Sequence, residues 1–378
     1  MADQASLSNK EIFKIRDKIV AKGAIACFQA LMEVSGADEA VKAVKPYSVH
    51  SGMAMACNCR KRLGFSGSGF EEAALPLYWV GFGLSNRNAS IEIFEKGAVV
   101  TINECPFKGG PPEMCVAISH HMGDGICENF NPRMEYIFTH HVNDNDPFCR
   151  YIVRQKGGSK DPEAIGRFIR RLPDIEMPDE EAIFLKSNAM GVTWSIITEA
   201  FLDLHGHDRM LELVRGKVEE VGRSVGNWLV DEGGFLKSNV AEVVRAVEYI
   251  YESIGQRTQT IKGSEHEVTG VVFECPFKDS PNEVCEQMEI IVNAVCKSID
   301  PTAEFYYLKD TEPGKKKCSW VIRAGHRNED KNVAETQKPS TGDPLKALTL
   351  KYAVGEITKD EYNRMVRILE SINHDGGN

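Results

Sequence analysis

Apolar residues recur at helical spacing from the start of the chain. Ile12, Ile15 and Ile19 follow Ser8-Asn9-Lys10-Glu11, which reads as a capping box. A helix is therefore expected over about 9–34, loosened at Gly23 and ended by Gly36. A second helix is expected over about 38–62, carrying Val41, Val44 and Met55, with Pro46 as a kink. Ser66-Gly67-Ser68-Gly69 is a loop, and another helical stretch follows it. The period then changes. Residues 90–94 alternate, Glu95-Lys96-Gly97 turns, and 99–102 returns, which predicts a β-hairpin. Pro111-Pro112-Glu113 opens a further helix, which Gly123-Asp124-Gly125 is expected to break. Two strands are expected over 133–141 and 148–154.

The same order then recurs. Glu104-Cys105-Pro106-Phe107-Lys108 returns as Glu274-Cys275-Pro276-Phe277-Lys278. Cys105, Cys115, Cys127 and Cys149 are spaced 10, 12 and 22 apart, and Cys275, Cys285, Cys296 and Cys318 are spaced 10, 11 and 22 apart. Gly206 and Asp208 match Gly36 and Asp38, and Val214, Gly222 and Tyr249 match Val44, Gly52 and Trp79. In the second copy the hairpin falls at 259–262 and 267–273, Ser280-Pro281-Asn282-Glu283 opens the helix, and 303–309 and 317–323 close the unit. The expected class is α+β: two tandem repeats, each helical and then ββαββ with a four-stranded antiparallel sheet. Module one is expected over 1–155 and module two over 180–325, joined by a linker over 156–179 with a short helix at 162–172. A flexible tether over 326–342 leads to a helical hairpin over 343–378.

Composition narrows the class. The chain has 378 residues, enough for two or three domains, with 42% apolar and 26% charged residues. Its net charge of −10 argues against nucleic acid as a partner. The longest apolar run, 73–84, contains Pro76 and is too short to span a bilayer. Eleven cysteines, an odd number, and no visible secretion signal point to reduced thiols in the cytoplasm. No Gly-rich phosphate loop, H-E-x-x-H or G-x-S-x-G occurs, so no cofactor is identified.

The copies differ in their imidazoles. Module one holds Ser119-His120-His121 and Thr139-His140-His141 where module two has Glu289-Ile290-Ile291 and Leu308-Lys309-Asp310. Asp124, Asp144 and Asp146 lie close by in sequence. His120, His121, His140, His141 and Asp124, with Cys105 as an alternative nucleophile, are the catalytic candidates, and an exposed, inert role is the plain alternative. Cys115, Cys127 and Cys149 are candidate ligands for a divalent metal, zinc or manganese, although no spacing is C-x-x-C. One thiol could instead act as a nucleophile beside a histidine. Core packing accounts for both quartets most simply. Glu104 and Glu274 read as structural contacts, the Cys57-Asn58-Cys59 pair as incidental, and His50 as a cleft or surface residue.

The Glu-Cys-Pro-Phe runs, Cys115, Cys127, Asn131-Pro132 and Cys149, and in module two Cys285, Cys296, Asp300-Pro301 and Cys318, resemble the L-2-amino-thiazoline-4-carboxylic acid hydrolase family. A more distant likeness joins them to 4-vinyl reductase-like small-molecule-binding domains. Where that family usually has Gly-Asp before its closing strand, Asn145-Asp146-Pro147 and Pro313-Gly314-Lys315 stand here. The resemblance implies hydrolysis of a small C–N ring, or a relative that kept the pocket and changed the reaction. The tail run Tyr352-Ala353-Val354-Gly355-Glu356-Ile357, followed by Glu361-Tyr362, resembles the short helical SHOCT domain, which implies an interaction or oligomerisation element, a homo-oligomer being one form. The expected function is a hydrolase or hydratase acting on a small-molecule substrate with water activated by His or Asp of module one. The competing expectation is a small-molecule-binding sensor or scaffold without catalysis. Convergent His, Asp and Cys in one pocket would favour the enzyme, and a histidine-poor apolar pocket the sensor.

Overall fold

Small and apolar residues make the first helix. In Lys22–Ser35 (α1), Ala24, Ile25, Cys27, Phe28 and Leu31 are buried, and a π-helical turn at Asp17–Ala21 leads into it. Gly36 ends it at φ +83°, an angle that favours glycine. Ala37–Leu63 (α2) runs through Pro46, and Phe70–Leu84 (α3) through Pro76. The hairpin is Ala89–Phe94 (β1) with Gly97–Ile102 (β2). Pro112–Cys115 (α4), a π-helical turn at Val116–His120 and His121–Phe130 (α5) follow as one continuous run. Met134–His140 (β3) and Cys149–Gln155 (β4) close module one. This computed structural model describes residues 14–63, 67, 69–84, 88–157, 161, 164–172, 179–254, 258–261, 266–272, 275, 277, 279–308 and 318–324. The expected tether, the SHOCT-like hairpin and the capping box at Ser8 lie outside them.

Module two repeats the order with Asp179–His205 (α6), His207–Asp231 (α7), Val240–Ser253 (α8), Thr258–Ile261 (β6), Glu267–Val272 (β7), Asn282–Ile299 (α9), Glu304–Leu308 (β8) and Cys318–Arg323 (β9). The fold is α+β, with all strand pairs antiparallel among the described residues. Its sheets run β3-β4-β2-β1-β5, where β5 is Phe168–Arg171, and β8-β9-β7-β6, so each shares the order third, fourth, second, first. The registers match too: Ile102 opposes Cys149, and Val272 opposes Cys318.

Two expectations need correction. The linker carries a strand where a helix was expected. Phe168–Arg171 (β5) pairs with the open edge of β1, and Phe168 meets Phe94 edge-on at 5.7 Å. Ile165 buries itself on the outer sheet face against Val99 and Ile152. A free sheet edge and an apolar face together outweigh local helical pattern. The first sheet therefore has five strands where four were expected.

The second correction concerns Gly123-Asp124-Gly125, which does not break its helix. A Cβ on Gly125 would lie 2.1 Å from the Val49 carbonyl oxygen, and one on Gly52 would lie 2.1 Å from that of Met122. The glycines let α2 and α5 cross backbone to backbone. Close packing repays the propensity that glycine loses in a helix.

The π turn at Val116–His120 accounts for the uneven cysteine spacing. The helical run of module one is one residue longer than α9, and a π turn absorbs a single extra residue without ending a helix. Its position falls between Cys115 and Cys127.

The two modules share one core across their helices. Ile15, Phe28 and Leu31 join Trp194, Phe201, Val214 and Ile250 in a single buried cluster. Contacts across it come in matched pairs. Lys217 donates to Glu33 at 2.7 Å, and Tyr47 donates to Asp203; each pair is the other displaced by 170 positions. Ser35 meets His205, its own counterpart, at 2.7 Å. Such reciprocity is the mark of an approximate two-fold axis.

Candidate functional site

Alternation in the strands points one face of the first sheet at the helices. Met134 and Tyr136 on β3, and Cys149, Tyr151 and Val153 on β4, are buried on that face. At the end of the sheet where β2 gives way to Cys105-Pro106-Phe107, the layers part and leave a cavity of about 600 Å³. Its walls come from α2, α3, the sheet, the α4–α5 run and, from module two, Asn188, Ala189, Val192 and Thr193 of α6. The size suits a small organic ligand.

Gly81 lines the cavity and lets Ile102 come close. A Cβ there would meet Ile102 at 2.6 Å and the Tyr151 hydroxyl at 3.4 Å. At the matching positions module two has Tyr251 and Trp320, both fully buried and stacked with centroids 6.3 Å apart. The Tyr251 hydroxyl donates to that of Tyr307 at 2.8 Å. Those two buried rings stand in module two at the positions where Gly81 and Tyr151 border the cavity in module one.

Sulfur lines the opening. Cys105, Cys115, Cys149 and Cys59 face it, with the thioethers of Met55, Met114 and Met122. Of the Cys57-Asn58-Cys59 run, Asn58 and Cys59 are wall residues, whereas Cys57 is exposed. Cys105, Cys115 and Cys149 are not in disulfides. The Asn143 amide holds the arrangement, donating to the Phe107 carbonyl at 3.2 Å and to the Cys115 sulfur at 3.3 Å while its oxygen accepts from Gly109 N–H at 3.0 Å.

The thiols differ in acidity. Cys105 donates its S–H to Cys149, and the Val142 N–H adds a second donor, so the Cys149 thiol is held below the usual range despite burial. The same bond, with burial, lifts Cys105 well above it. Burial, with the nearby Cys149, pushes Cys115 up to about 12, and burial does the same to Cys127. Tyr136 and Tyr151 are raised well above the ordinary phenol by burial.

The expected histidines stand around this cavity, and none is among its lining residues. His120 and His121 stack at 5.5 Å, and His120 lies on Tyr136 at 5.9 Å. His121 Nδ1 pairs with Asp124 at 3.3 Å. His140 packs on Phe148 at 5.1 Å, and His141 on Phe138 at 4.1 Å, with the Asp144 carboxylate 3.6 Å from its Nδ1. Burial lowers the pKa of both His121 and His141, against the pull of Asp124 and Asp144. His120 and His141 thus back the wall aromatics Tyr136 and Phe138, and none of the four rings is a lining residue. Of the suggested metal ligands, Cys115 and Cys149 face the cavity and Cys127 does not. Among the described residues no three His, Cys, Asp or Glu side chains are placed to hold a metal ion. His50 is exposed and not part of the wall.

The residues that sequence reasoning passed over are Gly81 and Tyr151. Their signal was present: at matched positions a glycine faces a tyrosine, and a tyrosine faces a tryptophan. Among the described residues no helix is long and apolar enough to cross a membrane. No protein-family model, curated protein or solved structure matches the chain.

Proposed function

We propose that module one binds an uncharged, ring-bearing small molecule and that module two, a duplicate with its cavity filled, serves as the support. The observation that carries this is an open volume of about 600 Å³ whose lining residues include no carboxylate, amine, guanidinium or imidazole. A charged ligand would lose its hydration there without a partner, while an apolar ring gains by leaving water. Duplication is supported by the shared strand order, the matched registers and the reciprocal contacts of Glu33 with Lys217 and Tyr47 with Asp203. In this reading the protein works in the cytoplasm, where its thiols stay reduced, and residues 343–378 assemble copies of the chain. The test is titration with a neutral apolar dye, N-phenyl-1-naphthylamine. Saturable fluorescence with one site per chain supports the reading, and no saturable binding removes it.

The second reading is ring-opening hydrolysis of a C–N bond, as the family resemblance implies. Cys149 is the observation that favours it, a thiol kept acidic by two donors inside the cavity. Its sulfur would attack the electrophilic ring carbon, the C–N bond would break, and the Cys105 S–H would protonate the nitrogen. Water would then hydrolyse the thioester and restore both thiols. A panel of thiazolines, hydantoins and lactams tests it. Turnover lost in Cys149→Ser and kept in His120→Ala, His121→Ala, His140→Ala and His141→Ala supports a thiol mechanism. Loss in the histidine variants alone returns the chemistry to imidazole-activated water.

A further inference from the structure

The cavity contains one kind of reactive group. Cys105 and Cys149 are neighbours, and both line it. The strand register places them: Cys149 opposes Ile102, and Cys105 follows three positions later. Two neighbouring sulfurs on one cavity wall can both bond one soft atom. A bare metal ion asks for more. Zinc takes four ligands, and among the described residues no trio of His, Cys, Asp or Glu is arranged for a metal. A centre that already carries one carbon substituent needs only two thiols, and its substituent needs an apolar space. The cavity supplies that space, with the thioethers of Met55, Met114 and Met122 in its walls.

We propose that Cys105 and Cys149 form a two-thiol capture site for an apolar ring bearing a trivalent thiophilic centre, the class of the arylarsonous acids. The inference rests on the cavity reading above and names the ligand class. In the capture step the two arsenic–oxygen bonds break and two arsenic–sulfur bonds form. Each thiol proton leaves with a hydroxyl as water. Arsenic stays trivalent throughout, so the step needs neither oxidant nor reductant.

Module two provides the internal control. Cys275 and Cys318 are paired in the same way, but the fully buried rings of Tyr251 and Trp320 stand where Gly81 and Tyr151 border the cavity of module one. The full chain is treated with phenylarsonous acid or methylarsonous acid, the remaining thiols are alkylated, and protected cysteines are mapped by mass spectrometry. At Cys105 and Cys149 the phenyl compound is expected to protect at a concentration about tenfold or more below the methyl compound, since only it buries a ring. At Cys275 and Cys318 the two compounds are expected to agree within about threefold. An equal ratio at both pairs, or no protection of Cys105 and Cys149, overturns the proposal. Cys149→Ser is expected to leave Cys105 unprotected while the Cys275–Cys318 pair still reacts, which shows a folded chain; continued protection of Cys105 overturns it. The dye titration separates the two levels. If the dye binds and no ring preference is seen, the capture site falls and the cavity reading stands. If the dye does not bind, both fall.

Discussion

Modules one and two are built alike and packed differently. Both have the same strand order, the same Cys-Pro-Phe sequence and matching cysteines in the same strand register. In module two Tyr251 and Trp320 are fully buried between helices and sheet. In module one Gly81 and Tyr151 stand there and border about 600 Å³ of open space. A pair of substitutions therefore separates the module with two buried aromatic rings from the module with the open space. Close packing is the default in protein interiors, and a gap of this size forfeits dispersion contacts that a filled core would keep.

Stability should divide the modules most sharply. Trp320→Ala removes a fully buried ring and is expected to cost about 3–5 kcal/mol in denaturant unfolding. Ile102→Val, on the cavity wall, should cost no more than about 1.5 kcal/mol. Equal losses would mean that the modules are packed alike. Next comes a transplant: Gly81→Tyr with Ile102→Val copies Tyr251 and Val272 into module one. Dye affinity should fall about tenfold or more, the equivalent of losing one buried ring contact, while Tm distinguishes a filled cavity from a broken fold. Undiminished affinity would place the ligand elsewhere.

Thiol reactivity sharpens the comparison at single atoms. With N-ethylmaleimide at neutral pH, Cys149 should react about tenfold or more faster than Cys115, because only the thiolate attacks. The Cys149 rate should rise with pH through a midpoint below that of an ordinary thiol. Cys105→Ala removes its main donor, so that midpoint should move upward; an unmoved midpoint would show that the S–H bond does not set it. The smallest effect concerns His121 and His141. Burial holds both below the ordinary value, so on acidification the unfolded chain takes up protons first. Stability should then fall as pH drops through about 6.5, and His121→Gln with His141→Gln should flatten that fall, read as Tm against pH.

Much of this was legible beforehand. The capping, turn and alternation signals located nearly every described helix and strand, because local backbone preference and a solvent-facing side decide them. The linker strand was not legible: residues 168–171 pair only because β1 leaves an edge open beside them. The glycines at 123 and 125 looked like breakers because their compensation lies across a helix crossing, at Val49 and Gly52. The site was half legible. Cys105, Cys115 and Cys149 stood out by spacing and do line the cavity, whereas the histidines drew attention by their number and lie behind its wall.

By itself the amino-acid order set the α+β class, the paired architecture and the thiol framework, all of which follow from periodicity and repetition along one chain. Where space would be left over depended on folding. A cavity is a property of side chains brought together from α2, α3, three strands and the neighbouring module, and Gly81 contributes to it through the side chain it lacks. Such an absence carries no local signal; it acquires meaning only when Ile102 and Tyr151 close around it and nothing fills the gap.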